Sequence, residues 1–162
     1  MKHLCLIRHA EASTHKAYTT DHERKLTNRG IKQLHQLIDF LNSQAFKPEL
    51  IVSSSAVRAK ETSEILVSGL GSAKDIIHIE PIIYSADDGA LMKLLTQLPD
   101  HLRSVVIVGH NPTITDVANR FLQPAIHWLP TSSVTGISFE TERWQAFSHS
   151  AFSIKWLWFP TV

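Results

Sequence analysis

The chain has 162 residues, enough for one domain with a proper core and too few for two comfortable ones. Hydrophobic residues make up 43% and charged residues 19%, which argues against a disordered or fibrous chain, and a formal net charge of +1 gives no bulk electrostatic reason to expect nucleic acid or a membrane surface as partner. Cys5 is the single cysteine, so no internal disulfide can form. The apolar run after Lys2 and His3 is too short for a signal peptide, and no run approaches the length of a membrane span, so the expected location is cytoplasmic.

Leu4-Cys5-Leu6-Ile7 suits a strand buried on both faces, and it stops at Arg8-His9. Ala12 to Lys25 is polar and without period, a loop expected to cross the end of that strand. Thr27 is a plausible N-cap for a helix with Ile31, Leu34, Ile38 and Leu41 on one face, running to about Ala45 and closed by Pro48; Gly30 near its start suggests close backbone packing. Leu50 to Val52 reads as a second strand. Ser55 then caps a second helix with Arg58 in its first turn and Ala59, Thr62, Ile65, Leu66 and Leu70 inward, until Gly69 and Gly71.

Ile76 to Ile79 is a third, short strand, and Pro81 to Gly89 a loop carrying Asp87 and Asp88. Ala90 to Leu98 is a third helix with Leu91, Leu94, Leu95 and Leu98 inward. Ser104 to Gly109, β-branched and apolar, is the strongest strand and therefore expected at the centre of the sheet; it ends at His110. Asn111 as N-cap and Pro112 as first residue open a fourth helix. From Thr135 the pattern changes to alternation and then to an aromatic strand, Ile154 to Phe159. Strand and helix alternating, then two adjacent strands, predict a single three-layer α/β/α domain over 1–162, with a mostly parallel central sheet and an antiparallel C-terminal edge pair.

Right-handed crossovers bring the junctions at Arg8-His9, Arg58 and His110 to one edge of a parallel sheet. Two guanidinium groups and two imidazoles beside helix N-termini make a pocket for a phosphoryl group, which arginine can grip bidentately. No H-x-x-x-H, H-E-x-x-H or G-x-x-x-x-G-K-[ST] spacing occurs, and the cysteine-phosphatase spacing from Cys5 would need Arg where Glu11 stands, so neither metal nor cofactor is expected. What remains is a neutral imidazole able to attack phosphorus among cations that stabilise the transferring group.

Four segments together resemble the histidine phosphatase, or phosphoglycerate-mutase-like, superfamily. They are Ile7-Arg8-His9-Ala10-Glu11, Leu26-Thr27-Asn28-Arg29-Gly30-Ile31-Lys32-Gln33, Ser53-Ser54-Ser55-Ala56-Val57-Arg58-Ala59-Lys60-Glu61-Thr62 and Val108-Gly109-His110-Asn111-Pro112. Small size and Arg-His-Ala in place of the usual Arg-His-Gly are most similar to the bacterial SixA-like phosphohistidine phosphatases. The resemblance implies that His9 is the nucleophile and that Arg8, Arg58 and His110 complete the phosphate pocket. Many relatives take a leaving-group acid from the loop before the third helix, where Asp87 and Asp88 lie here; Glu11 is a further candidate.

A leaving imidazole can carry its own proton, which lowers the need for an enzyme acid. Room for inserted loops is small, so an open pocket could admit a protein side chain. The expected substrate is phosphohistidine on a phosphorelay or phosphotransfer protein. Small phosphate esters, or phosphate binding without catalysis, are the alternatives. Monomer and dimer stay open. His15 and Lys16 are candidate substrate contacts, the remaining histidines are read as surface or packing residues, and Trp128, Trp144, Trp156 and Trp158 as core or edge-strand packing.

Overall fold

The structure is a computed structural model, and it describes residues 1–14 and 19–161. Its centre is a six-stranded sheet in the order β3-β2-β4-β1-β5-β6, formed by β1 (Lys2–Arg8), β2 (Leu50–Ser53), β3 (Ile77–Ile79), β4 (Ser104–Gly109), β5 (Val134–Phe139) and β6 (Phe152–Trp158). β1, β2, β3 and β4 run parallel; β5 pairs antiparallel with β1, and β6 antiparallel with β5. β4 is flanked by β2 and β1, as its β-branched run requires.

Alternation along the strands builds two cores. Cys5 and Ile7 of β1, with Val106 and Val108 of β4, meet Leu34, Leu37, Ile38 and Leu41 of α1 (Asn28–Ser43) and Ala59, Leu66 and Val67 of α2 (Val57–Gly69). Leu4 and Leu6, with Val105 and Ile107, meet Leu91 and Leu95 of α3 (Asp88–Thr96) and Ile114 and Val117 of α4 (Thr113–Ala118). The result is the three-layer arrangement expected from the alternation of elements.

Thr27 caps α1, its Oγ1 accepting from the Gly30 amide at 2.9 Å. A Cβ at Gly30 would stand 2.3 Å from the Glu11 carbonyl oxygen, so this close approach admits no side chain. Other boundaries differ from expectation. α1 ends at Ser43, and the chain turns at Ala45 with φ 54°, ahead of Pro48. α2 has Ala56 at its N-cap rather than Ser55, and no side chain caps it.

Asp87, inside the expected loop, is the N-cap of α3, so that helix begins earlier, and Leu94 and Leu98 are only partly buried on its flank. α4 starts at Thr113 with Pro112 at its N-cap; Asn111 instead bonds the Leu129 carbonyl (2.8 Å) and the Thr115 hydroxyl (2.5 Å). The polar stretch after β1 holds a short 3-10 turn, Asp21–Glu23, and Ala12 bridges to Leu26; His15 and Lys16 lie outside the described residues. Trp144 is fully buried and Trp156 and Trp158 pack on Phe40, but Trp128 is 47% exposed and is not core. No helix among the described residues is long and apolar enough to cross a membrane.

Candidate active site

β1 and β4 are paired in register from His3 to Arg8, and the His9 amide continues the ladder to the Gly109 carbonyl at 3.1 Å. His9 and His110 therefore leave adjacent strands at the same level, with ring centroids 5.0 Å apart. β2 lies on the other side of β4, and the Ser54 amide bonds the Val108 carbonyl at 3.1 Å, so Arg58 enters from the first turn of α2 at that edge. Thr62 ties two junctions together: its hydroxyl donates to the Arg58 carbonyl (2.7 Å) and accepts the Ala10 amide (3.0 Å). The parallel topology thus brings Arg8, His9, Arg58 and His110 together, as their places at strand and helix ends require.

The bonds of His9 define its tautomer. Nδ1 lies 2.7 Å from the Ala10 carbonyl, which can only accept, so Nδ1 carries the proton. Nε2 lies 3.3 Å from the Arg58 Nε–H, a donor, so Nε2 presents a lone pair. Burial above all, then His110, Arg58 and Arg8, push the His9 pKa down to about 3 against the raising effect of the Ala10 carbonyl. His110 is pushed down to about 4, by burial first and then Arg58. Both imidazoles are neutral at pH 7. His110 Nε2 meets the Ser54 hydroxyl at 2.7 Å, while its buried Nδ1 has no partner among the described residues.

The two arginines have different partners. Arg8 Nη1 donates to the Leu129 carbonyl at 3.0 Å. Arg58 Nη1 donates to the Asp21 carbonyl (2.8 Å), and Nη2 donates to the Asp21 carboxylate (3.1 Å). The Tyr84 hydroxyl donates to that same carboxylate oxygen at 2.6 Å, and Arg24 reaches the other oxygen at 3.0 Å. The Tyr84 hydrogen bond first, with Arg58 and Arg24 behind it, holds the Asp21 carboxyl at about 2 against the raising effect of burial. Asp21, Arg24, Tyr84 and Ser54 were not among the residues singled out from sequence; the one signal for the first two is their i, i+3 spacing in the loop.

The sequence-derived acid candidates have other partners. Glu11 accepts from the Thr27 hydroxyl (2.8 Å) and from Arg29 (2.7 Å) at the start of α1. Asp87 caps α3 through the Ala90 amide at 2.8 Å, and Asp88 pairs with Arg120 at 2.7 Å. Among the described residues, no group of three or more His, Cys, Asp and Glu is placed to hold a metal ion. A cationic pocket with a neutral, lone-pair-bearing imidazole at its floor can bind a phosphoryl group and attack it.

Comparisons with known proteins point the same way. The family model for the histidine phosphatase superfamily (branch 1) matches residues 4–82. A chloroplastic protein of Arabidopsis thaliana is 28% identical over 156 residues, 92% of this chain and 68% of that protein. The fold matches that of a protein of Agrobacterium tumefaciens named as a phosphohistidine phosphatase, SixA, with a TM-score of 0.83 at 21% identity over 98% of each chain. It also matches a mycobacterial glucosyl-3-phosphoglycerate phosphatase, with a TM-score of 0.67 at 16% identity over 100% of each chain. The matched stretch and the four sequence segments, which stand at the strand and helix ends where the pocket forms, make this chain similar to the histidine phosphatase superfamily.

Proposed function

We propose that this protein is a phosphatase that removes the phosphoryl group from phosphohistidine on a phosphorelay or phosphotransfer protein, through a transient phosphoenzyme on His9. The observation that carries the reading is the Nε2 lone pair of a buried, neutral His9, with Nδ1–H anchored on the Ala10 carbonyl and the Arg58 Nε–H aimed at Nε2. A nucleophile already deprotonated at pH 7 needs no separate base.

Nε2 forms a bond to phosphorus as the bond from phosphorus to the substrate's ring nitrogen breaks. The substrate ring, protonated on its other nitrogen, leaves as neutral imidazole. Water then attacks the phosphoryl group, the bond to His9 breaks back onto Nε2, and the water's protons depart with inorganic phosphate. Arg8 and Arg58 neutralise the charge on the phosphoryl oxygens. Ser54 Oγ accepts the Ala56 amide at 3.2 Å and lies 2.7 Å from His110 Nε2; with the Ser54 hydroxyl donating there, the His110 proton stands on Nδ1, and with the reverse direction Nδ1 carries the lone pair. Asp21, held as a carboxylate, positions Arg58 rather than supplying a proton. Proton transfer from Glu11 would first require it to leave Thr27 and Arg29, whereas Asp87 is bonded through Oδ1, with no partner on Oδ2 among the described residues.

The likeness to the protein named SixA supports phosphohistidine as substrate, and the likeness to the glucosyl-3-phosphoglycerate phosphatase supports small phosphate esters as the second reading. The test is phosphate release from a phosphohistidine protein and from a panel of small esters, with wild type and His9→Ala. Wild type should prefer phosphohistidine, and His9→Ala should lose at least about a thousandfold in rate. Turnover of small esters with the phosphohistidine protein untouched would overturn the substrate; activity retained by His9→Ala would overturn the nucleophile.

A further inference from the structure

Both pocket guanidinium groups have an aromatic ring against them. The Trp128 ring centroid lies 5.7 Å from the Arg8 guanidinium carbon, and the Tyr84 centroid 6.0 Å from that of Arg58. Tyr84 is also edge-on to His110 at 5.6 Å. Tyr84 has its hydroxyl committed to Asp21, whereas Trp128 is 47% exposed and its indole has no hydrogen bond among the described residues. A half-exposed tryptophan against a ligand-facing cation calls for a reason beyond core packing.

The chain around Trp128 is held from several sides. The Asn119 side chain bonds both the amide and the carbonyl of Ile126, at 2.9 and 2.8 Å. The Leu129 carbonyl accepts from Arg8 and Asn111, and the Leu129 amide donates to Thr115 Oγ1 at 3.0 Å. The Ser132 amide reaches the carbonyls of Arg8 (3.1 Å) and His9 (3.3 Å). Backbone bonded directly before and after the nucleophile's own junction presents the indole beside Arg8 at little ordering cost on binding.

We infer that Trp128 is a specificity residue, and that it selects phosphoryl groups carried on a planar ring, an imidazole or an aryl group, over those carried on a saturated carbon. The inference rests on the phosphate-pocket reading above and adds what lies next to the phosphorus. A ring bonded directly to phosphorus, with the phosphoryl group on Arg8 and Arg58, comes within stacking reach of the indole; a flexible alkyl group gains little there.

The test uses non-hydrolysable probes, so that it does not depend on turnover. Phenylphosphonate and methylphosphonate are titrated into wild type, Trp128→Leu and Trp128→Phe by calorimetry. Wild type should bind the phenyl compound about fivefold to tenfold more tightly than the methyl one, Trp128→Leu should lose that preference, and Trp128→Phe should keep most of it. Methylphosphonate affinity should stay within about twofold throughout, which also shows that the variants fold. An unchanged preference in Trp128→Leu, or none in wild type, overturns the inference alone. Ring preference without any His9-dependent phosphate release overturns the phosphatase reading and leaves Trp128 its role, and failure of wild type to bind either probe overturns both.

Discussion

The wall that holds Arg8 and the wall that holds Arg58 solve one problem in opposite ways. Arg8 is steadied by a neutral acceptor, the Leu129 carbonyl, on backbone bonded to β1 and α4, so its charge stays available to a ligand. Arg58 is steadied by an anion, with two terminal nitrogens on Asp21 and its Nε on His9. On the reading proposed above, an incoming phosphoryl group meets one cation with no carboxylate partner among the described residues and one that already has an internal counter-charge. Since both partners of an ion pair lose water together as a pocket fills, the second cation depends far more on its neighbour than the first.

The largest expected effect breaks that comparison directly. Arg8→Ala removes a phosphate ligand and should lower kcat/KM about a hundredfold. Arg58→Ala removes a ligand, the donor facing His9 Nε2 and one partner of Asp21 at once, leaving the Asp21 carboxylate on Arg24 and Tyr84 with no Arg58 cation between it and the phosphate; about a thousandfold is expected. Adding Asp21→Asn should restore about tenfold to Arg58→Ala and nothing to Arg8→Ala, a non-additivity that initial-rate kinetics on the four variants would read. Equal losses without rescue would mean that Asp21 does not oppose the phosphate.

Acid pH sharpens the same contrast. In the unfolded chain both histidines take a proton near pH 6.5, whereas in the fold they stay neutral to about 3 for His9 and about 4 for His110. Below pH 6.5 the unfolded state binds more protons, so the stability these groups contribute is complete above that pH and is lost as pH falls toward 4. The loss between pH 7 and pH 5 should be about 2 kcal/mol for each histidine, read as a fall in the urea midpoint. Their ring protons should show no NMR titration between pH 8 and pH 5. Arg58 stands ahead of Arg8 among the charges that depress both histidines, so Arg58→Ala should reduce this acid sensitivity more than Arg8→Ala does.

The sequence made one of these two walls easier to foresee than the other. Arg8, His9 and His110 end apolar strands, Arg58 opens a helix, and a parallel sheet with right-handed crossovers carries such positions to one edge whatever the loops do. The core faces were legible for the same reason, since periods of two and 3.6 depend only on local geometry. Asp21 sits among polar residues with no period, and only the folded loop brings its carboxylate to Arg58 and Tyr84, 37 and 63 positions away. Trp128 was misread as core because composition says nothing of which side of a tryptophan faces water; its exposure follows from side-chain bonds at Asn119, Asn111 and Thr115.

The smallest expected effect concerns the acid. Asp87 caps α3, so Asp87→Ala should lower stability by about 1 kcal/mol, read from the same urea titrations. Its effect on rate separates two kinds of leaving group. An imidazole that carries its own proton needs none from the enzyme, and kcat on a phosphohistidine protein should change by less than about twofold. An alkoxide needs a proton as it departs, and on an alkyl phosphate the same variant would slow by tenfold or more if Asp87 supplied it. Asp21 offers no substitute there, because Tyr84 and Arg58 keep it ionised. A loss confined to alkyl esters would identify Asp87 as the acid for those substrates and show that the loop before α3, rather than the Arg58 wall, serves the leaving group.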